Sequence, residues 1–161
     1  MERIRVLLVD DDRGAREGLG RYLRLAAGFA VEECPNGQTA LRVLRSVQHD
    51  LTAILMDYVL SPDVPGDVLL SELRRQYPRI PVIVYTGLDP QGGAWAIEKG
   101  AYRCMRRPID RTRMVAIIRN IAEQNKTYRQ MAQDMHLTVV SLIISVRRTN
   151  STRIFTQHLR V

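Results

Sequence analysis

Ala53-Ile54-Leu55-Met56-Asp57 is four apolar residues ending on a carboxylate. A short apolar run bounded by polar residues reads as a strand buried on both faces, so this one delivers Asp57 to the edge of a sheet. The pattern recurs along the chain. Residues 4–9, interrupted by Arg5, run into Asp10, Asp11 and Asp12. Pro81-Val82-Ile83-Val84-Tyr85 ends on the hydroxyl of Thr86, and residues 102–105 are soon followed by Arg107 and Pro108. If the strands are parallel, their carboxyl ends share one edge, where open α/β sheets bind ligands. Acids, a hydroxyl and a cation then meet in one crevice.

Helical patterns separate the strands. Asp12 is a candidate N-cap, and Leu19, Tyr22, Leu23 and Ala26 form the buried face of a helix that Gly28 ends. Gly14, Gly18 and Gly20 weaken that helix by up to about 1 kcal/mol each. They complete no dinucleotide fingerprint, because Leu23 stands where the third glycine belongs. Nor do the three aspartates make a calcium loop, since its glycine and closing glutamate are missing. Phe29-Ala30-Val31 opens an edge strand that Cys34 closes. Asn36-Gly37 turns into a second helix with Ala40, Leu41, Val43, Leu44 and Val47 inward. A turn-rich loop with Pro62, Pro65 and Gly66 leads to a helix over 67–77 that buries Val68, Leu69, Leu70 and Leu73. A loop over 87–93, a short helix over 94–99, the strand after Gly100 and a helix capped by Asp110 complete the alternation. Such alternation predicts a parallel sheet with helices on both faces.

Composition agrees with a folded domain: of 161 residues, 45% are hydrophobic, 25% charged and 6% aromatic. No apolar run is long enough to span a bilayer, and Met1-Glu2-Arg3 leads straight into a strand rather than a signal peptide. Cys34 and Cys104 are too few for a disulfide framework; both read as buried structural thiols, which fits a reducing cytoplasm. The net charge of +7 is unevenly placed. Through Asp110 fifteen Lys/Arg meet fifteen Asp/Glu, whereas from Arg111 nine basic residues face Glu123 and Asp134.

Four stretches together resemble a known family. They are Val6-Leu7-Leu8-Val9-Asp10-Asp11-Asp12, Ile54-Leu55-Met56-Asp57-Tyr58-Val59-Leu60-Ser61-Pro62, Pro81-Val82-Ile83-Val84-Tyr85-Thr86-Gly87, and Gly100-Ala101 ahead of Arg107-Pro108. Over about residues 3–123 the chain resembles the receiver domain of two-component response regulators, the CheY-like superfamily. The resemblance implies a flavodoxin-like, doubly wound sheet of five parallel strands in the order 2-1-3-4-5. It implies that Asp57 takes a phosphoryl group from a histidine kinase or phosphotransfer protein as an acyl phosphate. It also implies that Mg²⁺, a hard ion that takes oxygen ligands, neutralises the charge. The family's ligands match Asp10, Asp11, Asp57 and the backbone carbonyl of Val59, while Asp12 starts the helix. Thr86 matches the hydroxyl that bonds the phosphoryl oxygen. Solvated acids and a plain strand-end threonine are the bland accounts of the same residues.

The family pattern is broken in places. Arg107 falls where the family has lysine, so the cation is a planar fork rather than a compact ammonium; a cis Arg107–Pro108 bond is implied. Cys104 stands where the family has Tyr or Phe, which alters the switch position, and Tyr102 on the same strand face is a candidate to compensate. The loop before Gly66 is one residue longer than usual.

The domain division expected is a receiver over 1–123 and a basic C-terminal extension over 124–161. Met114, Ile117, Ile121, Gln124, Tyr128, Met131 and Met135 keep spacings of three and four, a heptad seam carried past the usual end of the fifth helix. Ile121, Tyr128, Met131 and Met135 are therefore candidates for a dimer seam, with the fourth and fifth helices beside it. Residues 136–146 fit a strand or a buried helix. In a helix-turn-helix, Met131 and Ala132 would lie in the first helix and residues 141–148 would read bases. Leu142, Ile143, Ile144 and Val146 are apolar where a groove needs polar groups, but Arg147, Arg148, Arg153 and Arg160 could still bind phosphates loosely. His49, His136 and His158 lack the context of a phosphorylated histidine. The leading expectation is a Mg²⁺-dependent phosphoacceptor switch, not a metabolic enzyme, that catalyses its own phosphorylation and dephosphorylation. The alternatives are a phosphorylation-independent interaction module and a DNA-binding regulator working through the tail.

Overall fold

The computed structural model describes residues 3–60, 64–87 and 93–142, and the helical backbone on to Gln157. Pro62, the loop residues 88–92, His158 and Arg160 lie outside the described residues, as do the side chains of Ile143, Ile144, Val146, Arg147, Arg148 and Arg153. Within them the order is β1 (Arg5–Val9), α1 (Arg13–Leu25), β2 (Ala30–Cys34), α2 (Gly37–Val47), β3 (Ala53–Asp57), α3 (Gly66–Gln76), β4 (Val82–Thr86), α4 (Ala94–Glu98), β5 (Arg103–Arg106) and α5 (Arg111–Gln157). The chain divides into two units, Met1–Ala122 and Glu123–Val161.

In the first unit the five strands form one sheet in the order β2-β1-β3-β4-β5, every neighbouring pair parallel. This is the expected flavodoxin-like arrangement. Every residue of β3 and β4 is buried, as strands covered on both faces require. Alternation along the strands sorts the core into two layers. Leu7, Val9, Ile54, Met56, Val82 and Val84 pack with α2, α3 and α4 on one face. Val6, Leu8, Leu55, Ile83 and Tyr85 pack with α1 and the first turns of α5 on the other. Each fully buried leucine among them contributes about 1.5–3 kcal/mol. Because β1 lies between β2 and β3, the order reverses beside the ends of β1 and β3, the place where such sheets bind ligands.

The helix ends obey local chemistry. Asp12 and Asn36 accept the backbone N–H groups of Ala15 and Thr39 as N-caps, and Asp110 accepts from Arg113. Two assignments of buried faces need correction. Ala26 is exposed: it is the C-cap of α1, one residue past the end of the helix at Leu25. Val68 is 52% exposed; the inward face of α3 is set by Leu69, Leu70 and Leu73, and Val68 lies about 100° of helix turn from Leu69. Among the described residues of α5 the buried ones are Met114, Val115, Ile118 and Ile121, with Ile117 partly covered.

The second unit is helical from Glu123 to Gln157. Residues 136–142 are therefore neither strand nor buried helix: Leu137, Val139, Val140 and Leu142 are exposed. The helix passes from Ala132 to Ser141 without a break, so the helix-turn-helix reading loses its turn. Among the described residues no helix is long and apolar enough to cross a membrane.

Candidate functional site

The strand ends bring together the residues that the sequence singled out. Asp10 follows β1 directly, Asp57 closes β3, Thr86 closes β4 and Arg107 follows β5. Asp10 is 1% exposed and Asp57 is 7% exposed, while Asp11 lies open to solvent. Each of the three carboxyls offers an oxygen, and these lie within 4.8 Å of one another. The hard oxygens of this donor set fit a Mg²⁺ ion.

One cation ties two of the acids. Arg107 donates from the same terminal nitrogen to Asp10 Oδ2 and to Asp57 Oδ2, each at 2.8 Å, and its backbone N–H bonds the Thr86 carbonyl at 2.9 Å. The Arg107–Pro108 bond is cis, as the resemblance implies. The other oxygen of Asp57 accepts the Val59 N–H at 3.1 Å. Burial pushes the Asp57 carboxyl above its ordinary range, against the Val59 N–H and the Arg107 charge, which pull it down. Carboxylates gathered this closely repel one another, and an added cation would relieve that repulsion.

Asp10 is held more firmly than its place in the sequence suggests. Its Oδ1 accepts the Asp12 N–H at 2.9 Å, and its backbone carbonyl accepts Arg16 from α1 at 2.6 Å. The Tyr85 hydroxyl donates to its Oδ2 at 3.0 Å. Burial raises that phenol well above its ordinary value, and the Asp10 carboxylate raises it further. Sequence reasoning counted Tyr85 as plain strand core and missed Arg16 altogether. The available signal was a phenol inside an otherwise apolar strand, since a buried Tyr hydroxyl usually finds a partner.

Residues on either side of the turn after Asp57 also make contacts that a linear reading does not reach. A methyl group on Gly66 would collide with the Tyr58 carbonyl oxygen, so the Gly66 backbone packs tightly against Tyr58, next to Asp57. The Tyr58 ring meets the Trp95 ring of α4 at 4.1 Å between centroids, tilted by 54°. Cys104 is half-buried rather than buried, whereas Cys34 is fully buried and its thiol is pushed up to about 11, chiefly by burial. A Cβ on Gly93, whose φ is 76°, would stand 2.8 Å from the Cys104 sulfur, so the small thiol and the bare glycine pack against each other. Tyr102 is 37% exposed, with the Arg103 guanidinium 5.9 Å from its ring. Of the seam residues, Ile121 is buried, whereas Tyr128, Met131 and Met135 are 71%, 62% and 69% exposed.

Residues 6–119 match the family model described as the response regulator receiver domain. The chain is 30% identical over 123 residues to the response regulator Rre1 of Synechocystis sp., covering 74% of this chain and 52% of that protein. It is 31% identical over 119 residues to the DNA-binding transcriptional regulator NtrC of Escherichia coli (strain K12), covering 73% and 24% respectively. The crystal structure of a response regulator receiver domain protein from Clostridium thermocellum shares the fold, with a TM-score of 0.71 at 21% identity, covering 78% of this chain and 98% of that one. The chain spans about a quarter to a half of the length of these curated relatives.

Proposed function

Because the chain belongs to the response regulator receiver domain family, we propose that it is a Mg²⁺-dependent phosphoacceptor switch with Asp57 as the acceptor. The observation that carries this reading is the meeting of Asp10, Asp11 and Asp57 oxygens within 4.8 Å around a bridging Arg107. Asp10, Asp11, Asp57 and the Val59 carbonyl would hold the ion. When bound, Mg²⁺ offsets the charge of acceptor and phosphoryl oxygens.

The chain's own residues do the rest. A carboxylate oxygen of Asp57 attacks phosphorus in line as the P–N bond of the donor's phosphohistidine breaks, and the departing imidazole takes up a proton. Arg107 leaves Asp57 Oδ2 and turns to the new phosphoryl oxygens, keeping its hold on Asp10. The Thr86 hydroxyl bonds a phosphoryl oxygen and moves its loop inward. The donor is a histidine kinase or phosphotransfer protein. The half-buried Cys104 is too small to act as the aromatic part of the switch, and the Tyr58–Trp95 contact gives α4 another link to the acceptor loop. Cys34 and Cys104 form no disulfide, which fits work in a reducing cytoplasm. Water then attacks the acyl phosphate, its P–O bond to Asp57 breaks, and inorganic phosphate leaves the carboxylate restored, so the group that reacts belongs to the chain itself and not to a metabolite.

Incubation with Mg²⁺ and a small phosphodonor, read by intact mass, tests this directly. One added phosphoryl group is expected, absent in chelator and in Asp57→Asn. No adduct on folded protein across several donors would overturn the acceptor role and leave a phosphorylation-independent interaction module. The second unit extends the proposal to a dimer of two copies. Ile121, Tyr128, Met135 and Leu142 recur every seven residues, the spacing of a coiled-coil seam, and the last three are exposed.

A further inference from the structure

The residue before Thr86 is a tyrosine with no exposed surface. Val82, Ile83 and Val84 fill the rest of β4 before Thr86, so an apolar side chain would suit the strand without bringing a hydroxyl into the core. A buried phenol costs free energy unless its O–H is bonded. This one bonds Asp10 Oδ2 at 3.0 Å, with the Val9 carbonyl oxygen at 3.4 Å.

Asp10 Oδ2 also accepts Arg107 at 2.8 Å, whereas Oδ1 accepts only the Asp12 N–H among the described bonds. Two donors occupy Oδ2, which leaves Oδ1 as the oxygen with an open lone pair. The same tyrosine supports the cation: the Arg107 guanidinium carbon stands 5.1 Å from the Tyr85 ring centroid, within cation–π range. A planar guanidinium can stack on an aromatic face as a compact ammonium cannot. Tyr85 thus touches both the Asp10 carboxylate and the Arg107 guanidinium bonded to it.

We propose that Tyr85 is a positioning residue of the acid pocket, its hydroxyl holding Asp10 with Oδ1 turned to the metal and its ring seating Arg107. This rests on the receiver reading above, in which Asp10 is a Mg²⁺ ligand. Hydrogen-bond partners of ligating carboxylates fix their orientation, and losing one typically costs about 10–100-fold in metal affinity.

The test compares Mg²⁺ titration calorimetry of the full chain with Tyr85→Phe and Tyr85→Leu, no phosphodonor being present. Thermal unfolding in chelator is followed alongside. Phe keeps the ring and loses the hydroxyl, while Leu loses both. The Mg²⁺ dissociation constant is expected to rise about tenfold in Tyr85→Phe and at least as much in Tyr85→Leu. The unfolding midpoint in chelator should fall mainly in Tyr85→Leu, so that affinity follows the hydroxyl and stability follows the ring. Should the leucine variant fail to fold, the phenylalanine variant decides alone. An affinity in Tyr85→Phe within about twofold of the parent would overturn the proposal, because the hydroxyl would then be a satisfied core group and nothing more. A parent chain that binds no Mg²⁺ would overturn the metal assignment itself, and the proposal with it.

Discussion

Asp57 is buried enough to resist its own charge. Burial raises its carboxyl above the ordinary range although Val59 and Arg107 oppose the shift. A carboxyl raised in the folded state contributes stability that is full below its unfolded value and is lost as pH rises through its folded value. In metal-free buffer the parent should therefore lose stability relative to Asp57→Asn as pH climbs from about 4. Thermal unfolding of the pair at acid and neutral pH checks this: the asparagine variant should melt higher at neutral pH and lose that advantage in acid. Equal midpoints at neutral pH would mean that the arginine and the backbone N–H cancel the burial. Asp57 is thus poised for a cation, since each added positive charge relieves what burial imposes.

At the scale of elements, each helix offers one face to the sheet, and α3 shows how sharply that face ends. Leu69 has no exposed surface and its neighbour Val68 is 52% exposed. Leu69→Ala should destabilise by about 2–5 kcal/mol through the cavity it leaves. Val68→Ala should stay within about 0.5 kcal/mol, as surface changes do. Urea unfolding of the two variants reads the difference, and similar losses in both would mean that the face is assigned wrongly. The same logic positions the site. Strands with both faces covered have fixed register, so their last residues arrive together, and the bare Gly66 packs against the Tyr58 backbone.

For the whole molecule the question is what the second unit does with its apolar residues. Tyr128, Met131, Met135 and Leu142 are exposed along one helix, and contiguous exposed apolar surface marks an interaction site. If two copies pair through it, the full chain should sediment as a dimer, and Tyr128→Glu with Met135→Glu should shift it to monomer without altering phosphorylation of Asp57. A parent that sediments as a monomer at all accessible concentrations, phosphorylated or not, removes the seam proposal.

The alternation of strand and helix, the sheet class and the residues that end the strands, Asp10, Asp57, Thr86 and Arg107, were all legible in the chain. The reason is that they are local: hydrophobic period, a turn residue or a cap each lies within a few positions of what it determines. The family resemblance supplied the strand order in the same way, through short motifs in sequence. What tertiary structure alone decided is how distant groups meet. Tyr85 reaches Asp10 across 75 positions and Arg107 reaches it across 97, and no periodicity relates residues so far apart. A tyrosine in an apolar strand looks like core until the neighbouring strand shows which carboxylate its hydroxyl can touch. Val68 likewise looks buried until packing fixes the rotation of its helix. Period tells which residues are apolar together, and contact tells what they are apolar against.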